Sequence, residues 1–403
     1  MRVTIHPGKL HGRVQAPPSK SHAHRALICA ALADGETLLT GAGASRDIEA
    51  TARCLTALGA FVASEGDSLR VRPIAIPRKN ALLDCGESGS TLRFLLPLCA
   101  LLDCGATLTG HGRLPERPNG PLLNALRAHG AAFTGDGLPL TVSGGLRGGE
   151  YRLPGDVSSQ FFTGLLLALP LLAEDSELVA DTPLESAPYI DLTLSAMRAF
   201  GVSVEKTPRG FRVPGHQRYQ TPGRVRVEGD WSGAAFWLAA NALGSDVTVN
   251  GLDPASAQGD RAAQTLFSPQ ALDVVDVRDV PDLMPALAAV MAAVPGRHRI
   301  TGAARLRIKE SDRLRAMAEA LRALGGCAEE APDGLIVEGR ALRGGTVDGC
   351  GDHRVVMSAA VLATACQGSV TILGAEAADK SYPGFFADFA ALGGNVHVEH
   401  AGQ

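Results

Sequence analysis

Six times along the chain, a small or polar cluster opens a run rich in alanine and leucine. The openings are Pro18-Ser19-Lys20-Ser21, Glu87-Ser88-Gly89-Ser90, Asp156-Val157-Ser158-Ser159, Gly229-Asp230-Trp231-Ser232, Val280-Pro281-Asp282 and Gly351-Asp352-His353-Arg354. Successive openings lie roughly 70 residues apart, with one gap of about 50, which marks a repeat architecture. A short strand-like piece follows each run, as at Thr37-Leu38-Leu39, Ala106-Thr107-Leu108, Asp246 to Val249 and Ser369 to Ile372. β-Branched residues in alternation favour strands there. A second helix follows in most repeats. In the segment Arg313 to Leu324, the residues Leu314, Met317, Leu321 and Leu324 form one apolar stripe, and Gly325-Gly326 ends it. Leu58-Gly59, His129-Gly130, Phe200-Gly201 and Leu392-Gly393 repeat that ending. Each unit therefore reads as strand, helix, strand, helix and a strand pair.

A solenoid of stacked α/β units is one way to use such repeats. The opening runs, however, are hydrophobic nearly all round, so they belong at a centre with sheets outside them. Pro97, Pro170 and Pro285 fall within these runs. An interior proline costs a helix about 3 kcal/mol, so a late start or a kink is expected at each. A chain of 403 residues is long for one core, and two domains are expected. The break falls near Thr221-Pro222-Gly223, with three units on each side. Residues 17–225 form the first expected domain. Residues 1–16 with 226–403 form the second, and a two-stranded hinge joins them.

Composition excludes several classes of function. A net charge of −4 and 4% aromatic residues argue against a nucleic-acid surface. None of the eight cysteines forms a Cys-x-x-Cys pair, and most sit in Ala/Leu-rich segments, so reduced core thiols are expected. The N-terminus has no signal-like apolar stretch. The run from Phe161 to Ala173 is shorter than the roughly 20 residues that span a bilayer. A cytoplasmic protein is expected. No P-loop, complete dinucleotide fingerprint or Gly-x-Ser-x-Gly elbow occurs. His22 and His24 lack acidic or thiol partners at metal-binding spacing.

Helix starts attract anions, because unpaired N–H groups and the helix dipole are positive there. Ser and Asp at such places are also ordinary caps. Basic residues at several openings change the reading. Lys20 and Arg25 follow the first, Arg93 the second, and Arg354 lies in the sixth. Arg117 lies in the proline-stiffened segment Pro115-Glu116-Arg117-Pro118. Lys309 and Arg313 stand about one turn apart at another helix start, and Lys380 sits in Asp379-Lys380-Ser381. A dipole alone disfavours cations at a helix start. A ligand with several phosphate or carboxylate groups accounts for them.

The segments 18–25, Gly86-Glu87-Ser88-Gly89-Ser90-Thr91-Leu92-Arg93, Pro115-Glu116-Arg117-Pro118, Val157-Ser158-Ser159-Gln160-Phe161, Lys309-Glu310-Ser311-Asp312-Arg313-Leu314 and Gly351-Asp352-His353-Arg354 resemble motifs of the 5-enolpyruvylshikimate-3-phosphate synthase family. They come in family order and cover nearly the whole chain. The resemblance implies an α/β fold: a two-domain inside-out α/β barrel, each domain three βαβαββ units with helices inside. It implies transfer of the enolpyruvyl group of phosphoenolpyruvate to the 5-hydroxyl of shikimate 3-phosphate, through a tetrahedral intermediate. It further implies that Lys20, Ser21 and Arg25 contact both substrates. Ser158, Ser159 and Ser186 would hold the shikimate phosphate, with Gln160 between the ligands and Tyr189 beside the ring. Asp282 and Lys309 would serve the shikimate side. Gly89, Arg117, Arg313, Arg354 and Lys380 would bind phosphoenolpyruvate, together with Lys20 and Gln160.

Both substrates are small multi-anions whose approach Coulomb repulsion opposes, which suits bidentate arginines, mobile lysines and a closing cleft. Glu310 is the first choice for proton transfer, then Asp282 and Lys20. The chemistry requires no cofactor and no metal. The expected partners are the two small-molecule substrates, with no nucleic acid and no membrane, and the chain is expected to be a monomer. Glu87 and Arg305 depart from the family, which often has Asn at both places. An acid beside an anion site repels the ligand unless it is paired or turned away. Two rivals share the fold: a transferase acting on UDP-N-acetylglucosamine, and a non-catalytic anion-binding protein. The first typically has Lys-Asn where this chain has Lys20-Ser21, and a loop cysteine that is absent near Arg117.

Overall fold

In the computed structural model, which describes residues 1–135 and 137–399, every opening cluster leads into a helix. Five openings carry side-chain caps. Ser19 accepts from the His22 N–H, Ser88 from Thr91, Ser158 from Gln160, Asp230 from Ser232 and Asp352 from Arg354. The opening at Val280 differs. Pro281–Leu283 forms a 3-10 turn without a side-chain cap, and the helix Met284–Ala293 grows from it. Proline in a first turn wastes no N–H and presets φ, which compensates for the missing cap.

The other central helices are Lys20–Leu32, Gly89–Leu102, Ser159–Ala168, Trp231–Ala242 and His353–Ala363. Every residue of His353–Ala363 is buried. A helix with no polar face cannot lie on a surface, so strands cover these helices from outside. The three prolines resolve in three ways. Pro285 sits in the first turn of its helix, and Pro170 lies in a 3-10 turn, Leu169–Leu171, that ends the preceding helix. Pro97 stays inside Gly89–Leu102. A Cβ on Gly164 would come within 2.2 Å of the Arg93 carbonyl oxygen, so only glycine permits the helices at 93 and 164 to pack this closely.

Four of the sheets among the described residues follow one recipe, a parallel pair extended by an antiparallel hairpin. Leu82–Asp84 runs parallel to Ala106–Thr109, which pairs antiparallel with Leu140–Ser143 and then Ala132–Thr134. The same order holds from Gly149–Leu153 through Ser176–Ala180 to Gly210–Val213 and Glu205–Thr207. In the first repeat, the parallel partner of Thr37–Thr40 is Arg224–Arg226, from far along the chain. Past residue 228, Val274–Asp276, Gly296–Thr301, Gly334–Gly339 and Cys327–Ala331 form one sheet. The N-terminal strand Arg2–Ile5 inserts between Val370–Leu373 and Val396–Glu399, and His11–Gln15 runs parallel to Asp246–Asn250.

Two compact units result, one of Pro18–Glu228 and one of Met1–Pro17 with the chain from Gly229 on. Each has its own apolar core. The crossings fall at 17–18 and 228–229, slightly later than the sequence break. Arg224–Arg226 is a strand of the Pro18–Glu228 unit, and the Glu228 carbonyl accepts from the Ser19 N–H at 2.8 Å. On the other side, the Pro17 carbonyl accepts from the Asp230 N–H at 2.7 Å. The outer helices Arg46–Leu58, Gly120–Ala128, Ala187–Ala199 and Arg313–Ala323 each end near a glycine of positive φ, as at Gly59, Gly130, Gly201 and Gly325.

Candidate active site

The two units are described in turn. In the Pro18–Glu228 unit, two central helices bring the openings at Gly89 and Ser159 together with the loop around Arg117. Arg117 is 6% exposed and lies against Gly89, where a Cβ would fall 2.7 Å from Arg117 Nη1. Its Nε has no hydrogen-bond partner among the described residues. A buried guanidinium whose Nε lacks an acceptor among the described residues, beside a helix start, is suited to receiving an anion.

Gln160 stands between the Gly89 and Ser159 openings. Its Nε2 donates to Ser90 Oγ at 2.9 Å, and its Oε1 accepts from Arg93 Nη1 at 2.8 Å. Arg93 also donates to Asn119 Oδ1, to the Pro118 carbonyl and, at 3.4 Å, to Ser158 Oγ. Arg93 thus ties the Arg117 loop to the serine helix. Sequence reading marked it as a cation but gave it no role. Its position inside an apolar run was the available signal, because a charge there must have fixed partners.

Lys20 Nζ pairs with Asp47 Oδ2 at 2.9 Å. Asp47 opens the helix Arg46–Leu58, where an acid is an ordinary first-turn residue, so its partnership had no sequence signal. Arg25 points inward. Nε donates to Thr193 Oγ1 at 2.8 Å, Nη2 to the Tyr189 carbonyl at 3.0 Å, and Nη1 to the Ser21 carbonyl at 2.7 Å. Burial lowers its pKa to about 10, and the ring of Phe94 lies 5.2 Å away. Arg25 thereby joins its helix to Ala187–Ala199, whose cap Ser186 is buried in left-handed backbone at φ 57. Ser158 and Ser159 are likewise buried.

His22 and His24 turn to different partners. His22 Nδ1 lies 3.7 Å from Glu228 Oε1, and His24 Nδ1 is 2.8 Å from Thr51 Oγ1. Burial, aided by Arg25, lowers His22 to about 4. Burial lowers His24 to about 3 against the opposing pull of Asp47, and the charges of Lys20 and Arg25 add to the lowering.

In the other unit, carboxylates and arginines interlock. Asp282 Oδ1 accepts from Arg313 Nη1 at 3.0 Å, and Oδ2 from Arg354 Nη2 at 2.7 Å. Arg313 Nη2 donates to Glu310 Oε2 and Nε to Asp352 Oδ2, each at 2.8 Å. Ser311 Oγ donates to the same Asp352 oxygen at 2.9 Å, while Asp352 Oδ1 caps its helix at the Arg354 N–H. One carboxylate therefore serves as helix cap and as arginine anchor. The sequence shows only the cap.

Burial alone would raise the Asp282 pKa, but the charges of Arg354, Arg313 and Lys309 hold it well below the usual carboxylate range. Burial opposes the Arg313 charge, yet Asp352, Glu310 and Asp282 push its pKa upward. Asp260, bonded by the Ser232 hydroxyl, is raised to about 7 by burial and by the Asp282 charge. Lys309 follows the 3-10 turn Ala304–Ile308, and Lys380 is buried at the end of Ala375–Lys380. Arg305 is buried and its Nη2 donates to the Arg278 carbonyl. Glu87 covers Gly112.

The chain matches the family model described as EPSP synthase (3-phosphoshikimate 1-carboxyvinyltransferase) over residues 5–269 and 261–389. It is 42% identical to the 3-phosphoshikimate 1-carboxyvinyltransferase of Clostridium kluyveri, covering 100% of this chain and 99% of that one. A protein of the same name from Halobacterium salinarum is 43% identical, covering 98% and 100%. The solved structure of EPSP synthase from Acinetobacter baumannii superposes with a TM-score of 0.83 at 25% identity, covering 99% of this chain and 100% of that one.

Proposed function

The chain belongs to the EPSP synthase family, and on that premise we propose that it joins phosphoenolpyruvate to shikimate 3-phosphate and releases phosphate. The observation that carries the reading is Arg117, a buried guanidinium pressed on Gly89 with Nε lacking an acceptor among the described residues. Phosphoenolpyruvate supplies the missing anion there.

The roles follow from the surroundings of each group. Gly89, Arg117, Gln160, Lys20, Arg313, Arg354 and Lys380 bind phosphoenolpyruvate. Ser158, Ser159, Ser186, Ser21 and Tyr189 receive shikimate 3-phosphate, with Arg25 fixing the helices that carry them. Asp282, with Lys309, meets the shikimate hydroxyls.

The reaction begins with a proton added to the methylene carbon of phosphoenolpyruvate. The 5-hydroxyl oxygen attacks the resulting cationic carbon and loses its proton. The tetrahedral intermediate then expels phosphate and gives up a methyl proton, which restores the double bond. Asp282 is held ionised by three cations, so it serves best as a fixed acceptor that aims the hydroxyl. A carboxylate so stabilised is a weak base. Glu310, whose carboxylate accepts from Arg313, is the first choice for carrying protons, with Lys20 as its counterpart.

The chain acts on these small molecules as a monomer in the cytoplasm. Its eight free thiols suit a reducing compartment. Among the described residues, no helix is long and apolar enough to cross a membrane.

The test is phosphate release from phosphoenolpyruvate with shikimate 3-phosphate or UDP-N-acetylglucosamine as acceptor. Release with the first alone is expected. Release with the second alone, or with neither, refutes the assignment.

A further inference from the structure

Two serine segments are expected to hold the acceptor phosphate, and they lie on different helices. Ser158 and Ser159 open one helix, and Ser186 precedes Ala187–Ala199. Their spacing must be set by the backbone that leads into each. The structure shows a compact knot at that place, centred on Thr182.

Thr182 Oγ1 makes three hydrogen bonds to the segment just ahead of Ser158. It accepts from the Gly155 N–H at 2.9 Å and the Asp156 N–H at 3.3 Å, and it donates to Asp156 Oδ1 at 2.8 Å. Backbone bonds flank the knot. The Asp181 N–H donates to the Leu153 carbonyl and the Glu185 N–H to the Gly155 carbonyl. Packing is equally close. A Cβ on Gly155 would lie 2.6 Å from the Thr182 carbonyl oxygen and 2.9 Å from Leu184 Cα. Only glycine lets the two strands of chain touch here.

From Asp156 it is two residues to Ser158, and from Glu185 a single step to Ser186. Ser186 sits at φ 57, a conformation that needs support from its surroundings in a non-glycine residue. We propose that Thr182 is a positioning residue which sets the distance between the Ser158–Ser159 and Ser186 segments, and through it the affinity for the phosphate of the acceptor. This rests on the reading that those serines bind shikimate 3-phosphate. A hydroxyl that takes part in three bonds at one junction fixes both segments, and a misplacement of about 1 Å in a binding group can cost up to 10²-fold.

The experiment compares steady-state kinetics of Thr182→Val, which keeps the shape and removes the hydroxyl, with Thr182→Ser, which restores it. Thr182→Val should raise KM for shikimate 3-phosphate about tenfold or more, leaving KM for phosphoenolpyruvate and kcat within about threefold. Thr182→Ser should return KM to near the wild-type value. A general packing defect would not give that split or that rescue. Should the valine chain fail to fold, Thr182→Ala gives the same reading. An unchanged acceptor KM in the hydroxyl-less variant overturns the proposal, as does an equal fall in every kinetic constant. Ser158→Ala with Ser159→Ala separates the two levels. If that pair leaves the acceptor KM unchanged, the phosphate assignment fails and the proposal with it. If the pair raises KM and Thr182→Val does not, only the role of Thr182 is lost.

Discussion

Lys20 presents its ammonium to the Asp47 carboxylate at a distance of 2.9 Å, and the two side chains are only 15% and 8% exposed. The Asp47 carboxylate gives that ammonium a fixed direction. Asp47→Asn should lower kcat by about 10–100-fold, as misaimed catalytic groups do. Adding Asp47→Asn to Lys20→Met should cost little more, because the two residues act as a unit. Fully additive losses in phosphate-release kinetics would show that Asp47 acts independently.

Arg313 is 2% exposed and binds three carboxylates, of Asp282, Glu310 and Asp352. Glu310→Gln keeps a hydrogen-bonding oxygen for Arg313 but cannot exchange a proton as a carboxyl does. Turnover should fall roughly 10²–10⁴-fold with little change in stability. Asp282→Ala is different in kind, since it leaves Arg313 and Arg354 short of an acceptor. It should cost on the order of 3 kcal/mol in denaturant unfolding as well as activity. Turnover of Glu310→Gln within about threefold of wild type would remove Glu310 from proton transfer.

Gly89 has no room for a side chain. The first added carbon would sit 2.7–2.9 Å from the guanidinium atoms of Arg117. In Gly89→Ala, Arg117 must shift, and KM for phosphoenolpyruvate should rise about tenfold or more. KM for shikimate 3-phosphate should move far less. Equal changes in both constants would argue against a donor site at Arg117.

His24 links stability to pH. An unfolded histidine takes a proton below about 6.5, whereas buried His24 stays neutral down to about 3. The native state therefore loses stability as pH falls through that window, by about 1.4 kcal/mol per pH unit, and loses none above it. His22, lowered to about 4, adds a second share. Between pH of about 7 and about 4.5, His24→Asn should lose on the order of 2 kcal/mol less than wild type in urea unfolding. Identical losses in the two proteins would exclude His24 as a source.

Much of the architecture was legible because it is written in local signals. The caps Ser19, Ser88, Ser158, Asp230 and Asp352 announce helices from within one turn, and the glycines after Leu58, His129, Phe200 and Leu392 announce their ends. The prolines were not legible. Pro285, Pro170 and Pro97 look alike in the sequence but end up in a first turn, a closing 3-10 turn and a helix interior. The neighbours decide, as Gly164 does by making room at the Arg93 carbonyl. Nor does any local pattern announce that the Arg25 guanidinium bonds to Thr193 and Tyr189.

By itself the sequence determined the sixfold repeat, the apolar helices at the centre of each unit and the family, since periodicity, capping and motif order depend on residues near one another. Tertiary structure alone decided which polar group meets which: Lys20 with Asp47, Arg93 with Gln160 and Asn119, Asp352 with Arg313, and Thr182 with Asp156. Those pairs lie between 26 and 67 residues apart. Their approach depends on how helices and sheets pack, and no local pattern of residues encodes that distance.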